Sequence, residues 1–263
     1  MAFNLNITLI QSELAWEDRT TNLSRFEEKI RGLGPGAEVV VLPEMFSTGF
    51  SMQPGRLAET MDGETVGWMK RVSAENRIIL TGSVIIKEND QYFNRLLWVL
   101  PDGQLGIYDK KHLFAYAGED QFYTAGNKRL IASVKGWKIN LQVCYDLRFP
   151  VWARQQMLEE PEYDVLIYVA NWPQKRNTAW KTLLRARAIE NQCYVVGVNR
   201  VGVDGNGIDH SGDSMVIDPL GEILYESEGV ESIVTITLQK ETLLAIREKL
   251  PFLGDSDHFL LVQ

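Results

Sequence analysis

Short apolar runs rich in β-branched residues recur along the chain and are separated by turn residues. Runs of this kind are typical of strands that are buried on both faces of a sheet. Most of them fall in the first two thirds of the chain. The pattern predicts strands at Asn6–Ile10, Glu38–Leu42, Ile78–Ile86, Leu96–Leu100, Lys138–Val143, Asp164–Val169 and Tyr194–Asn199.

Helical spacing, with apolar residues about every three or four positions, lies between these runs. The first predicted helix has Leu23, Phe26 and Ile30 on its apolar face and follows the cap-like Thr20 and Thr21. The second has Val66, Met69 and Val72 and follows Glu64. The third and the last are predicted at Asn177–Asn191 and Glu241–Leu250. Pro219 and Gly221 predict a turn that joins Ser214–Ile217 and Glu222–Tyr225 into a late hairpin.

Strands that alternate with helices indicate an α/β protein whose sheets are covered by helices. No linker rich in Ser, Gly or Pro and no internal repeat interrupts the alternation. We therefore expect one domain over residues 1–263, with an exposed C-terminal tail at 251–263 that begins at Pro251.

Composition narrows the class of protein. The 263 residues are 45% hydrophobic and 24% charged, which is typical of a globular protein large enough to bury a sizeable core. The formal net charge is -8, so we expect no nucleic-acid partner, because phosphate binding needs clustered Lys and Arg. No apolar run approaches the ~20 residues of a membrane span and Met1 to Trp16 has no leader pattern, so we expect no membrane partner and a cytoplasmic location.

The chain has two cysteines, Cys144 and Cys193, too few for a disulfide framework. Cys144 comes where the strand Lys138–Val143 ends, and such an edge can present a nucleophile to a pocket. A lone cysteine at such a place is, however, more often a small buried hydrophobic residue. Cys193 is interpreted as a buried structural thiol within the third helix.

Two other segments place ionisable groups beside apolar runs. Glu44 follows the apolar run that ends at Leu42, and a carboxylate buried there needs a proton or a cation. Taken alone, a glutamate at a strand end is more often a surface or ion-paired residue than a base. Lys110 and Lys111 run directly into His112 and an apolar pair, so one lysine can point inward, although two solvated lysines remain an alternative.

Together these segments resemble the nitrilase, or carbon–nitrogen hydrolase, family, which uses a Glu–Lys–Cys triad. Glu44 in Leu-Pro-Glu matches the general base, Cys144 matches the nucleophile, and Lys110 matches the lysine of the pattern Lys-x-His-Leu, which leaves Lys111 at the variable position. Glu119 matches by spacing alone the second glutamate of many members. The resemblance continues through Asn171-Trp-Pro173, Arg185-Ala-Arg-Ala-Ile-Glu-Asn191 and Gly197-Val-Asn-Arg200.

Membership in this family implies a four-layer α-β-β-α sandwich and a homodimer or a higher homo-oligomer. It implies that Glu44 takes the thiol proton, that Cys144 attacks the carbonyl, and that Lys110 and the backbone N–H of Tyr145 stabilise the oxyanion. It implies neither a metal nor an organic cofactor.

The residues after the nucleophile indicate the branch. Cys144-Tyr-Asp-Leu-Arg-Phe149 differs from the Cys-Trp-Glu of nitrilases and the Cys-Asn-Asp-Arg of carbamoylases, and looks closer to the omega-amidases. Those enzymes hydrolyse the terminal amide of short monoamides such as 2-oxoglutaramate and 2-oxosuccinamate. Recognition of the distal carboxylate calls for a cation. The candidate cations are Arg148, Lys175 and Arg176, although each of them can also be an ordinary solvated residue. The other candidate substrate-binding residues are Tyr116, Asn171 and Trp172.

Other interpretations receive less support. His112, His210 and His258 lack zinc-ligand spacing, and Gly202-Val-Asp-Gly-Asn-Gly207 lacks the Gly-x-Gly-x-x-Gly fingerprint of dinucleotide sites. We therefore expect no metal site. Two alternatives stay open within the family, an amidase for other small aliphatic amides and a scaffold protein without catalysis.

Overall fold

A computed structural model describes residues 4–157 and 159–261 of the chain. Met1 to Phe3, Leu158, Val262 and Gln263 lie outside the described residues, as do the parts of the predicted domain and tail that fall on them. The strands within the described ranges are β1 (Leu5–Gln11), β2 (Val39–Val41), β3 (Ile79–Glu88), β4 (Gln91–Val99), β5 (Leu105–Asp109), β6 (Leu130–Val134), β7 (Trp137–Val143), β8 (Val165–Val169), β9 (Tyr194–Val198), β10 (Val201–Val203), β11 (Asp209–Ile217), β12 (Ile223–Glu228) and β13 (Ser232–Leu238).

The helices lie between these strands as the alternation predicts. They are α1 (Arg19–Arg31), α2 (Pro54–Leu57), α3 (Glu64–Asn76), α4 (Glu119–Phe122), α5 (Pro150–Ala153), α6 (Asn177–Asn191) and α7 (Lys240–Lys249). The cap of α1 differs from the predicted one, because the side chain of Asp18, and not Thr20 or Thr21, accepts a hydrogen bond from the backbone N–H of Thr21. No helix in the described ranges combines the length and the apolar character that crossing a bilayer requires.

The strands form two sheets. The first has the order β13-β1-β2-β3-β4-β5, and the second has the order β10-β11-β9-β8-β7-β6, with β12 paired to β11. Pairing is parallel in the middle of each sheet, at β1-β2-β3 and at β7-β8-β9, and antiparallel toward the edges. Parallel strands must be covered on both faces, so helices have to lie outside each sheet.

Alternation along the strands decides which side chains face which layer. In β2, Val39 and Val41 pack into a core shared with the second sheet, whereas Val40 packs toward α1 and α3. On the other side, α6 approaches β9 at Gly197, where an added Cβ atom would lie 2.6 Å from Leu184. The layers therefore follow the order helix, sheet, sheet, helix, which confirms the four-layer α-β-β-α sandwich.

The structure also corrects several predicted elements. The strand predicted at Leu96–Leu100 begins earlier, at Gln91, and strands β5, β6, β10 and β13 were not predicted. Helix α6 ends at Asn191, so Cys193 lies in the turn before β9 and not within a helix, although it is fully buried as expected. In the tail, Phe252 and Leu260 are exposed, but Leu253 is buried.

Candidate active site

Three polar side chains meet where parallel strands end. Glu44 follows β2 of the first sheet, while Cys144 and Asn171 follow the adjacent strands β7 and β8 of the second. The backbone N–H of Asn171 donates to Glu44 Oε2 at 2.8 Å, and Asn171 Nδ2 donates to the carbonyl oxygen of Glu44. These contacts cross from one sheet to the other, so the sandwich itself brings Glu44 to the cysteine.

The backbone is strained at both of these turns. Cys144 has φ +44°, and Met45, directly after Glu44, has φ +43°. Neither residue is glycine, and such conformations cost free energy that the surrounding structure must offset, which is why they are concentrated at functional sites. The strained positions are thus Cys144 itself and the residue that follows Glu44, and both belong to the triad segments.

Lys110 is clamped between two carboxylates. Its Nζ atom lies 2.9 Å from Glu44 Oε1 and 2.8 Å from Glu119 Oε2, and all three side chains are fully buried. The backbone N–H of Phe114 donates to the same Glu119 oxygen at 2.6 Å. The structure thus brings together Glu44, Lys110 and Glu119, including the residue that spacing alone had suggested.

Charge and burial act in opposite directions in this cluster. Burial lowers the pKa of Lys110, but the charges of Glu119 and Glu44 outweigh it and raise the pKa above its ordinary value, so the ammonium form persists. Burial, together with the charge of Glu44, raises the pKa of Glu119 against the opposing effect of Lys110. Two carboxyl groups therefore compete for one buried cation.

The thiol of Cys144 is neutral in the resting site. Burial is the largest cause of its raised pKa, and the charge of Glu44 and a hydrogen bond with that residue add to it, while Lys110 and the N–H of Asn171 oppose it. A neutral thiol is a weak nucleophile and needs an adjacent base. Glu44 is the carboxylate in contact with it.

Asp146 ties the lysine segment to the cysteine turn. Its Oδ1 accepts from the backbone N–H of His112 at 2.9 Å and lies 2.8 Å from the Nδ1 of that ring. Its Oδ2 accepts from Tyr108 Oη at 2.7 Å and from the N–H of Val143 at 3.0 Å. The ring of His112 stacks on Phe149 with centroids 3.8 Å apart, so this histidine serves packing and positioning.

Two cavities near the thiol share wall residues. The inner one has a volume of about 20 Å³ and touches Cys144, and the outer one has a volume of about 590 Å³. Phe114 and Arg176 line both cavities. The inner volume holds about one water molecule, so a substrate must be small at its reacting end or move these walls.

Most of the candidate substrate-binding residues lie at these cavities. Tyr145, Arg148, Asn171 and Trp172 line the inner cavity, and Tyr116, which is 87% exposed, lines the outer one. Lys175 is exposed and lines neither cavity.

The two arginines are held by aromatic rings. The Arg148 guanidinium lies 4.8 Å from the ring centroid of Trp172, and that of Arg176 lies 5.2 Å from Phe114. Within the described part of the chain, neither arginine forms a salt bridge. Each therefore offers an uncompensated positive charge at the cavity wall.

One group of carboxylates elsewhere has a spacing that could suit a metal ion. Asp213, Glu226 and Glu228 converge near β11 and β12. The ammonium of Lys181 already lies 2.7, 2.8 and 3.3 Å from them. The cluster is thus compensated by a side chain of the protein itself.

Sequence reasoning missed Asn94, Asp146 and Phe114. Asn94 is a fully buried amide inside β4, and Phe114 lines both cavities. A polar residue within a buried apolar strand was the available signal for Asn94. Asp146 stood within the recognised cysteine motif, but its partners on the lysine segment could not be read from spacing.

Known proteins of one family are similar to this chain over nearly its whole length. The model of the family described as carbon-nitrogen hydrolase matches residues 6–248. The omega-amidase YafV of Yersinia enterocolitica is 46% identical over 98% of this chain and 99% of its own length. A 2-oxoglutaramate amidase of Bacillus subtilis is 31% identical over 95% of this chain and 96% of its own.

A solved structure is similarly close. XC1258 of Xanthomonas campestris, described as a CN-hydrolase superfamily protein with an arsenic adduct in the active site, superposes with a TM-score of 0.97 at 45% identity. It covers 99% of this chain and 100% of its own. Fold, sequence and family model agree over nearly all of the chain, which therefore belongs to the carbon–nitrogen hydrolase family.

Proposed function

We propose that this protein is an omega-amidase, which hydrolyses the terminal amide of a short monoamide carrying a carboxylate, of the 2-oxoglutaramate or 2-oxosuccinamate type, to the acid and ammonia. One observation carries the proposal: a neutral thiol contacts a carboxylate that is held by a buried ammonium, beside a cavity whose two guanidinium groups form no salt bridge with any described residue. The full-length similarity to enzymes named omega-amidase and 2-oxoglutaramate amidase supports the same substrate class.

The first half-reaction follows from the neutral thiol. Glu44 accepts the proton of Cys144 while the sulfur attacks the amide carbonyl carbon. Negative charge develops on the carbonyl oxygen, where the ammonium of Lys110 and the backbone N–H of Tyr145 stabilise it. When the intermediate collapses, Glu44 returns its proton to the leaving nitrogen, ammonia departs, and a thioester remains on Cys144.

The second half-reaction reverses these roles. A water molecule enters the position that ammonia has left, and Glu44 takes one of its protons as the oxygen attacks the thioester carbonyl. The carbon–sulfur bond then breaks, the thiolate regains a proton from Glu44, and the acid leaves. Glu119 keeps Lys110 in place through both halves, because it binds the ammonium independently of Glu44.

Recognition of the substrate carboxylate falls to Arg148 and Arg176. Both line the inner cavity that touches Cys144, and each guanidinium group lies over an aromatic ring. A carboxylate can form two parallel hydrogen bonds with a guanidinium group, which gives orientation as well as binding free energy. Lys175 lines neither cavity, so we do not propose it as an anchor for the carboxylate.

We also propose that the enzyme is a cytoplasmic homodimer. Val151 on α5 and Ile189 on α6 expose 54% and 52% of their surfaces, which leaves apolar area for a second copy. A reactive thiol in the site suits a reducing compartment. Sedimentation equilibrium at micromolar concentration should give twice the chain mass of 29.9 kDa, and a monomer at all concentrations would contradict the dimer.

The first prediction separates the two neighbouring lysines. Lys110→Ala should lower kcat about 100-fold or more, because a cation that stabilises the oxyanion is lost. Lys111→Ala is the matched control, since its Nζ lies over the ring of Trp152, 5.6 Å from the centroid. The measurement is ammonia release from 2-oxoglutaramate, with folding checked by circular dichroism. Equal losses in two folded variants would show that the lysine register is wrong.

The second prediction tests the carboxylate anchor. Arg148→Ala or Arg176→Ala should lower kcat/KM for 2-oxoglutaramate roughly 10- to 100-fold, the effect of one charge-assisted pair, while butyramide should lose little. Lys175→Ala is the control cation and should leave both substrates unaffected.

The comparison between the two substrates decides this prediction. If each arginine variant lost the same factor on the acid-bearing and the neutral amide, the arginines would not anchor the carboxylate. If unmodified enzyme preferred butyramide to 2-oxoglutaramate, the amidase would act on neutral aliphatic amides instead.

A further inference from the structure

Asn94 lies at the centre of the charged cluster without being one of its charged members. It is fully buried in the middle of β4. Its Nδ2 atom donates to Glu44 Oε1 at 2.7 Å and to Glu119 Oε1 at 3.1 Å. A single amide group thus reaches both carboxylates that clamp Lys110.

The same residue holds the lysine by its backbone. The N–H of Lys110 donates to the carbonyl oxygen of Asn94 at 3.0 Å, just beyond the last β4–β5 pair, Arg95 with Asp109. The amide of Asn94 and the ammonium of Lys110 therefore approach the carboxylates from one strand pair. Displacing Asn94 would move the donor and the cation together.

The orientation of the amide follows from chemistry. Two carboxylate oxygens face one end of the side chain, and only the NH₂ group can donate to them, because an oxygen there would be repelled. The Oδ1 atom at the other end is buried and has no hydrogen-bond partner among the residues that the structure describes. Leaving a buried acceptor unpaired costs free energy, so the contacts made by Nδ2 must offset it.

Charge counting shows why this donor matters. Glu44, Glu119 and Lys110 together leave one excess negative charge in a fully buried cluster, and the Cys144 thiol beside it is neutral. The Tyr123 phenol is neutral as well, because burial and the charges of Glu119 and Glu44 raise its pKa. Burial and the charge of Glu44 also raise the pKa of Glu119 against the opposing effect of Lys110, so each donor to the two carboxylates favours their ionised form. A proton that moved onto Glu44 would remove the base that the thiol needs.

We propose that Asn94 is a positioning residue that keeps the Glu44 carboxylate aimed at Cys144 and stabilises the net negative charge of the cluster, because its amide donates one hydrogen to each of the two carboxylates that Lys110 alone does not neutralise. This role rests on Glu44 acting as the base in the proposed function, but it can be measured without turnover, through the alkylation rate of Cys144. Removing the amide favours the protonated pair, so the acidic limb of activity should move to higher pH.

The test compares Asn94→Ala and Asn94→Asp with a control in the same strand, Leu96→Ala. Leu96 is two residues along β4 and buried in the core between the sheets, so its truncation should lower the melting temperature without touching the cluster. Two quantities are measured from pH 4 to 9: kcat/KM for 2-oxoglutaramate, and the rate at which iodoacetamide alkylates Cys144. Peptide mass spectrometry shows which cysteine carries the alkyl group.

The expected result is a shift of the acidic midpoint in both profiles. Asn94→Ala should raise it by about one pH unit or more, the equivalent of one hydrogen bond to a charged group. Asn94→Asp should raise it further, because a third carboxyl group replaces the donor. Leu96→Ala should keep the midpoint of the unmodified enzyme.

Unchanged midpoints in both Asn94 variants would overturn the proposal, and so would an equal shift in Leu96→Ala. If Asn94→Ala does not fold, Asn94→Asp, which has nearly the same shape, decides alone. An unmodified enzyme that releases no ammonia from any amide would refute the proposed function. The alkylation profiles would still test Asn94 in that case.

Discussion

A buried ammonium held between two buried carboxylates is the interaction on which this site depends. Removing charges from water is costly, and the contacts of Lys110 with Glu44 and Glu119 offset that cost only while the geometry stays close. Loss of one partner from such a group typically destabilises a protein by about 3–5 kcal/mol. The cluster therefore enforces the position of Glu44, and through it the approach of a base to the thiol.

The sandwich supplies the rigidity that this cluster requires. Glu44 comes from one sheet and Cys144 from the other, and contacts of Asn171 and Asp146 tie their turns to neighbouring segments. Left-handed backbone at Cys144 and Met45 is tolerated because the strands before them are buried and paired. The stability of the fold thus holds a neutral thiol beside a buried carboxylate.

Much of this arrangement could be predicted from the sequence, for identifiable reasons. Strands buried on both faces, such as β8, stand out as continuous apolar runs, and the triad motifs have distinctive neighbours. Strands β5 and β6 do not stand out in the sequence, because they are short, partly exposed and lie at sheet edges. Strand β13 was also missed, although its alternating burial fits a strand with one covered face.

The side-chain network lay beyond what spacing can tell. Asn94 reaches Glu44 over 50 positions and Asp146 reaches His112 over 34, so only the folded chain reveals these pairs. Lys175 and Arg176 are neighbours with the same charge, yet one lines the cavities and the other does not. Which of two adjacent cations faces a site depends on the turn that carries them.

The covalent intermediate is the most direct test of the account. Enzyme mixed with 2-oxoglutaramate and quenched in acid within the first turnover should carry an added mass equal to the substrate minus ammonia. Peptide mapping should place that added mass on Cys144 and not on Cys193. The Cys144→Ala protein should show no added mass. Release of ammonia at the normal rate without any adduct, or by the Cys144→Ala protein, would contradict the mechanism.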